Sequence, residues 1–279
     1  VQGFTLSKKV EFRAYDFGGQ EVFYPTHTFF LSSRAVNLVV FSVVNESSIS
    51  RVEYWLKMIK GQGIIPSPVV LVGTHSDDPN FTPEMEASVQ DRVKKFKSQF
   101  PNIKHVAYVS SVSGVGIKEL RAQLVSVAQQ QKIITTLVPE SYFVLEKLIT
   151  KIKNDNRPIL PLAEYRQVAK KSNILDEKTL FAATEFLHDV GSIIWFNQPN
   201  MRDIVILDPQ WLANMMASVI SFRATWKNGI MYHNSLPIMW KQYPENLHKI
   251  LLQLLQKYEV IFPIKDVDHA SIVPSMLPN

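Results

Sequence analysis

Lys9-Val-Glu-Phe-Arg-Ala-Tyr15 runs directly into Asp16-Phe17-Gly18-Gly19-Gln20-Glu21. The first part alternates as an extended segment does, and the second places an aspartate, a flexible diglycine and a glutamine at its carboxyl end. Those residue types in that order suit the sensing of a nucleotide's last phosphate. Asp16 can hold a Mg²⁺ through water, the Gly19 N–H can face the γ-phosphate, and Gln20 can orient an attacking water. Asp-Phe-Gly is also the metal-binding triplet of protein kinases, which needs a His-Arg-Asp loop roughly twenty residues upstream and a lysine on an earlier strand. Only fifteen residues precede Asp16 and they supply neither, so the kinase reading of this chain fails.

The surrounding composition is that of a soluble globular protein. The chain has 279 residues, 46% hydrophobic and 20% charged, which fits two ordinary domains. There is no cysteine, so disulfides and thiolate metal sites are excluded. Val36-Asn-Leu-Val-Val-Phe-Ser-Val-Val44 is the longest apolar stretch and falls far short of the roughly 20 residues that cross a bilayer. No secretory leader pattern opens the chain, and its first residue is Val1, as in a piece of a longer protein. A formal charge of +5 tolerates anionic partners, but it is diffuse, and Lys94, Lys95 and Lys97 read as a solvated helix face.

From Lys9 to Gln131, short apolar runs alternate with amphipathic stretches, the pattern of a parallel α/β sheet covered by helices. Strands are expected at Val1–Leu6, Val10–Tyr15, Val36–Val44, Val69–Val72 and His105–Val109, the third and fourth as central strands buried on both faces. Helices are expected near Val22–Ser32, Ile49–Lys60, Pro83–Gln99 and Ile117–Gln131, one opened by Ser47-Ser48 and one by Thr82-Pro83. Loops at the carboxyl ends of such strands carry function. Gly73-Thr74-His75-Ser76-Asp77 follows one strand, and Asp77 can accept both the ring N–H and the exocyclic amine of guanine, a pairing adenine cannot offer. Ser110-Ser111-Val112-Ser113-Gly114 follows the next, where a backbone N–H near Ser111 can meet guanine O6. The expectation is that these loops and Asp16 converge on one nucleotide.

This order of motifs resembles the G-domain of small GTPases, whose third to fifth motifs are D-x-x-G, N-K-x-D and S-A-K. Here the fourth reads T-H-x-D and the fifth Ser110-Ser111-Val112, so Thr74 and His75 replace the residues that tether the loop and stack an aliphatic stem on the base. The T-H-x-D variant and the run Asp16 to Ser33, with Tyr24, Thr26, His27 and Phe30, resemble more narrowly the Roc (Ras of complex proteins) domain of the Roco family. Val138-Pro-Glu-Ser-Tyr142, Leu187 to Trp195 and Ile204 to Leu212 are similar to the first half of the COR (C-terminal of Roc) domain that follows Roc. The resemblance implies a Roc domain over 1–132 and the N-terminal half of COR over 138–279. It implies a Ras-like P-loop GTPase fold that lacks its first strand, phosphate loop and first helix, followed by a mainly helical, winged-helix-like domain.

Several expectations follow from that resemblance. GTP or GDP and Mg²⁺ are the implied ligands, with Thr74, His75, Asp77, Ser110 and Ser111 in the two loops that bind the base, Gly19 at the γ-phosphate, Asp16 at the metal and Gln20 as the catalytic residue. The intact protein would be a cytoplasmic GTP-hydrolysing switch, often with leucine-rich repeats and a serine/threonine kinase, with an intramolecular Roc–COR contact and homodimerisation through the second half of COR. No Gly-x-x-x-x-Gly-Lys-Ser/Thr occurs in the sequence, so these residues alone are expected to bind nucleotide weakly or not at all and to be inactive by themselves. A degenerate, nucleotide-independent scaffold is the alternative. Leu162–Ser172, Leu175–Val190 and the hairpin near Ser192–Leu207 read as helix, helix and wing. DNA binding is disfavoured, because Asp176, Glu177, Glu185 and Asp189 against Lys178 would repel phosphates. Trp195, Phe196 and Trp211 are expected as core or interface aromatics.

Overall fold

The computed structural model describes residues 10, 12–17, 31, 34–61, 67–131, 137–198, 201–221, 227–241, 243–257, 259–265, 267 and 269–277. The expected strand Val1–Leu6 and nearly all of the expected helix Val22–Ser32 lie outside them. The chain forms two compact units, the first from Val1–Phe12 and Leu31–Val138, the second from Arg13–Phe30 and Pro139–Asn279.

In the first unit, β1 (Asn37–Ser42), β2 (Val69–Thr74) and β3 (Ile103–Tyr108) form a parallel sheet in that order, covered by α1 (Glu46–Lys60), α2 (Pro83–Gln99) and α3 (Ile117–Gln129). β2 is buried on both faces, as a central parallel strand must be. β1 is not. Val39 and Phe41 enter the core, whereas Leu38 and Val40 remain 43% and 58% exposed, because β1 is the edge of the sheet among the described residues. The expectation of two buried faces there is corrected by this placement.

Both helix starts follow from hydrogen-bond accounting. The Asn45 side chain caps α1 by accepting from the Ser48 N–H at 3.1 Å, two residues before the Ser47-Ser48 start that the sequence suggested. The Ser48 hydroxyl instead accepts from the Ser42 N–H at 3.0 Å and ties the helix to β1. Ile49, Val52, Leu56 and Ile59 then fall on one buried stripe at helical spacing. α2 begins as expected, with Thr82 accepting from the Met85 N–H at 3.3 Å and Pro83 in the first turn.

The expected strand at Val10–Tyr15 does not form. Residues 12–17 carry no strand, and Arg13 to Phe17 belong to the second unit. The alternation that suggested a strand is satisfied otherwise. Arg13 bonds Glu146 at 2.6 Å and the Ser192 hydroxyl, and the Tyr15 hydroxyl donates to the Gly191 carbonyl at 2.5 Å. Side chains two apart that each find a polar partner in one unit hold an extended segment without a ladder.

The second unit opens with α4 (Glu140–Asn154), β4 (Ile159–Pro161), α5 (Leu162–Lys171), α6 (Glu177–Asp189), β5 (Ile194–Trp195) and β6 (Ile204–Ile206). Its antiparallel sheet has the order β4-β6-β5, with Ile159 opposite Ile206 and Ile194 opposite the same residue. This is the winged helix read from the sequence. α6 starts one residue after Asp176, which accepts from the Thr179 N–H at 2.9 Å. α7 (Pro209–Ser221), β7 (Ile230–Tyr232), α8 (Leu236–Met239), α9 (Glu245–Lys257), β8 (Phe262–Pro263) and β9 (Ala270–Ile272) complete the unit around buried Leu212, Met215, Trp240 and Leu255. Trp195 and Phe196 are core residues, Trp195 stacking on Phe181 at 5.6 Å and donating to the Arg202 carbonyl at 3.0 Å. Trp211 meets Tyr243 edge to face at 5.2 Å.

His188, on α6, accepts from the Trp195 N–H at 3.4 Å, and burial pushes its imidazole below the ordinary 6.5, against the upward pull of Asp189, the Ile193 backbone and Glu185. A lowered histidine favours the fold above the unfolded value, and that contribution is lost as pH falls from about 6.5 through the lowered folded value. Urea melts at pH 7.5 and pH 5 should therefore show a smaller acid loss of stability for His188→Gln than for the parent. An equal loss in both would place the acid sensitivity elsewhere.

Candidate functional site

The parallel register that pairs Gly73 with Tyr108 carries the loops after β2 and β3 to one end of the sheet. Gly73 has no room for a side chain, since a Cβ there would lie 2.7 Å from Val43 Cγ1 and 2.8 Å from Tyr108 Cδ1. The next residue, Thr74, donates its hydroxyl proton to the Phe41 carbonyl at 3.2 Å, so the loop is tied to β1. His75 then takes a left-handed conformation, φ 63°, and its carbonyl accepts from the Asp78 N–H at 3.1 Å. That reversal swings Asp77 back toward the loop after β3.

There it meets Ser110. The Ser110 hydroxyl donates to Asp77 Oδ2 at 2.6 Å and accepts from the Val112 and Ser113 N–H groups at 3.1 and 3.0 Å. Ser110 is buried, with its hydroxyl oriented from three sides, while Asp77 and Ser111 stand exposed at the rim. The loop's exit depends on Gly116, whose φ is 75° and where a Cβ would lie 2.2 Å from the Tyr108 carbonyl oxygen. The Ser110 hydrogen bond lowers the Asp77 pKa against the opposing effect of desolvation, helped by Ser113, the Asp77 backbone and the neighbouring His75. Asp77 is thus an ionised, acceptor-only group with one oxygen already oriented, the species that can receive two parallel N–H donors.

Of the residues expected at the site, the structure joins Thr74, His75, Asp77, Ser110 and Ser111 on two adjacent loops. Asp16 is exposed and belongs to the second unit, while Gly19 and Gln20 lie outside the described residues. Among the described residues, no group of three or more His, Cys, Asp or Glu side chains could hold a metal ion. Two features escaped the sequence reading. The Ser110 side chain, rather than only the loop backbone, organises the rim, and its signal is the Ser-x-Val-Ser turn pattern, in which a hydroxyl bonds N–H groups two and three residues on. Arg13 and Tyr15 turn out to be anchoring residues in the second unit.

A parallel sheet with an oriented carboxylate and a hydroxyl-braced loop at its carboxyl end, followed in sequence by a winged helix, defines the class: a Ras-like G-domain with a COR-type partner. Residues 1–77 match the family model "Ras of Complex, Roc, domain of DAPkinase", and residues 139–277 match "C-terminal of Roc, COR-A domain". Probable serine/threonine-protein kinase pats1 of Dictyostelium discoideum is 37% identical over 99% of this chain, which spans 9% of that protein. Leucine-rich repeat serine/threonine-protein kinase 1 of Caenorhabditis elegans is 27% identical over 97% of the chain, which spans 13% of it. The solved structure of Methanosarcina barkeri Roco2 RocCORdC bound to GDP superposes with a TM-score of 0.77 at 25% identity, covering 94% of this chain and 79% of that one. The chain belongs to the Roco family and carries its Roc and COR-A regions.

Removing the Ser110 hydroxyl should release Asp77. In Ser110→Ala, the Asp77 carboxyl should titrate at higher pH than in the parent, moving back toward the ordinary carboxylate value, whereas Ser110→Thr should keep it low. Carbon-13 NMR of the labelled carboxylates reads this directly, and an unshifted Asp77 in Ser110→Ala would show that the hydrogen bond does not set its ionisation.

Proposed function

We propose that this chain is the Roc–COR segment of a longer Roco protein, with Roc over 1–132 and the N-terminal half of COR over 138–279. In that protein it acts as a cytoplasmic guanine-nucleotide switch that binds and hydrolyses GTP and governs an output domain, a serine/threonine kinase in the named relatives. The observation that carries this reading is the oriented, ionised Asp77 on its Ser110 brace. A carboxylate set this way accepts guanine N1–H and the 2-amino group together, and adenine supplies neither pair. Ser111, on the braced loop, is assigned the backbone donation to O6, and Thr74 and His75 the loop's base-facing side.

Asp16 is assigned to Mg²⁺ through water, Gly19 to the γ-phosphate and Gln20 to the attacking water. Mg²⁺ would offset phosphate charge there. The phosphate-cradling loop itself is no part of these 279 residues, so strong nucleotide binding is assigned to the full-length protein. The segment that carries Asp16 is built into the second unit through Arg13, Tyr15, Glu146 and Gly191. This supports an intramolecular Roc–COR coupling in which a change at the phosphate end is felt in COR. Homodimerisation is assigned to the remainder of COR in the full-length protein.

In the full-length protein, Asp77→Asn should weaken GTP binding by at least about tenfold, or about 1.4 kcal/mol. Isothermal titration checks this, and unchanged affinity removes Asp77 from the site. Gln20→Leu should slow single-turnover hydrolysis with GTP affinity nearly intact, and an equal rate would mean that another group orients the water.

A further inference from the structure

We propose that Lys60, Lys94, Lys97 and Lys104, gathered at the amino-terminal end of the first unit's sheet, form a basic rim that docks on an anionic lipid membrane. Two stretches of chain supply the rim, and neither contains an acid. No Asp or Glu occurs between Glu53 and Asp77, or between Asp91 and Glu119. α1 and α2 run back along the parallel sheet, so both end near the strand starts. Lys60, the last residue of α1, holds its ammonium 5.7 Å from the ring centroid of Phe100, the residue that closes α2. Lys104 Nζ reaches the Pro101 carbonyl at 3.5 Å. Burial, and after it the charge of Lys97, lower the pKa of His105, which places Lys97 near the start of β3. Lys94 stands one turn back on α2, and all four lysines are exposed.

The neighbouring lysines already have partners. Lys57 pairs with Glu53 and Lys95 with Asp91, each at 2.8 Å, whereas Lys60, Lys94, Lys97 and Lys104 make no ion pair with a described residue. Helix carboxyl ends favour cations in their last turn, which accounts for Lys60 and Lys97 taken singly. It does not account for Lys94, which precedes the last turn of α2, or for Lys104, which is on a strand. Like charges gathered in this way repel one another, and an anionic surface relieves that repulsion. The first turns of α1 and α2 carry Glu46, Glu84 and Glu86, so the opposite end of the unit is turned away from the same surface. That end bears the loops of Asp77 and Ser111, which a docked unit leaves uncovered.

The chemistry of the rim selects lipid over an acidic protein. Its unpaired cations are all lysines, compact charges on flexible stems that suit a fluid layer of headgroups. Arginine, with its fixed fork, suits a single well-placed carboxylate or phosphate. No large apolar side chain is exposed from Lys57 to Gly61 or from Lys94 to Lys104, so the rim lacks the anchor that a protein interface is built around.

The test is vesicle co-sedimentation of the full-length protein without added nucleotide. The protein should bind phosphatidylcholine vesicles that contain about a third phosphatidylserine more tightly than vesicles of phosphatidylcholine alone. That binding should weaken as salt rises from about 0.1 to about 0.5 M. Changing Lys60, Lys94, Lys97 and Lys104 together to Gln should weaken it by at least about tenfold, while changing all four to Arg should keep it within about threefold of the parent. The same loss of charge at Lys147, Lys151, Lys170 and Lys171 in the second unit should leave it within about twofold. Unchanged thermal melting of the rim Gln variant shows that its fold is kept, and the Arg variant tests the rim with its charge retained. Equal losses in the two Gln variants, equal binding to both kinds of vesicle, or binding that salt does not weaken overturns the proposal. Capture of polyglutamate without adsorption to the phosphatidylserine vesicles also overturns it and gives the rim to an acidic protein.

Discussion

The hydrogen bond from Ser110 to Asp77 is the constraint on which the site depends, because it joins two loops that the sheet merely brings near each other. Parallel pairing of β2 with β3 delivers both loops to one end, and the missing side chain at Gly73 lets the strand ends approach. The left-handed His75 turns the first loop back and Gly116 turns the second out of the sheet. Only the buried Ser110 hydroxyl converts that proximity into a fixed carboxylate, since its remaining capacity is filled by the Val112 and Ser113 N–H groups. An exposed aspartate on an unbraced loop would sample many orientations, and pre-orientation removes that cost from binding.

A second polar anchor has a different character. Arg13, Glu146 and Ser192 form a charged cluster, and Tyr15 reaches the carbonyl of Gly191, a glycine with φ 73° whose Cβ would lie 3.1 Å from the Tyr15 hydroxyl oxygen and 3.2 Å from its Cε2. A turn that only glycine makes easily therefore receives the residue immediately before Asp16. Burial raises the Tyr15 pKa, against the lowering by Arg13, so the hydroxyl keeps its proton and remains a donor at neutral pH. These polar contacts, rather than apolar packing, fix the residues on either side of Ala14 within the second unit.

Much of the fold was legible because its signals are local. The unbroken apolar run of β2, the Thr82-Pro83 start of α2 and the helix-helix-wing order of the second unit all appear where periodicity and capping place them. What failed was long-range. Alternation at Val10–Tyr15 is equally compatible with a strand and with an extended segment whose side chains find partners 133 to 179 residues away. The apolar content of β1 could not say that Leu38 and Val40 would face outward at a sheet edge. At the site, residue type and motif spacing singled out Asp77 as a candidate, whereas the Ser110 brace and the Thr74–Phe41 tie each join residues 33 apart, which no local pattern in the sequence reports.

The most direct measurement is base preference in the full-length protein carrying Asp77→Asn. Xanthine keeps the N1–H of guanine but presents a carbonyl where guanine has its amine, so an asparagine amide can accept from one and donate to the other. The account predicts that GDP is preferred over xanthosine diphosphate in the parent and that the preference reverses in Asp77→Asn. Retention of the guanine preference in the variant would contradict it, since the carboxylate would then not be reading the base.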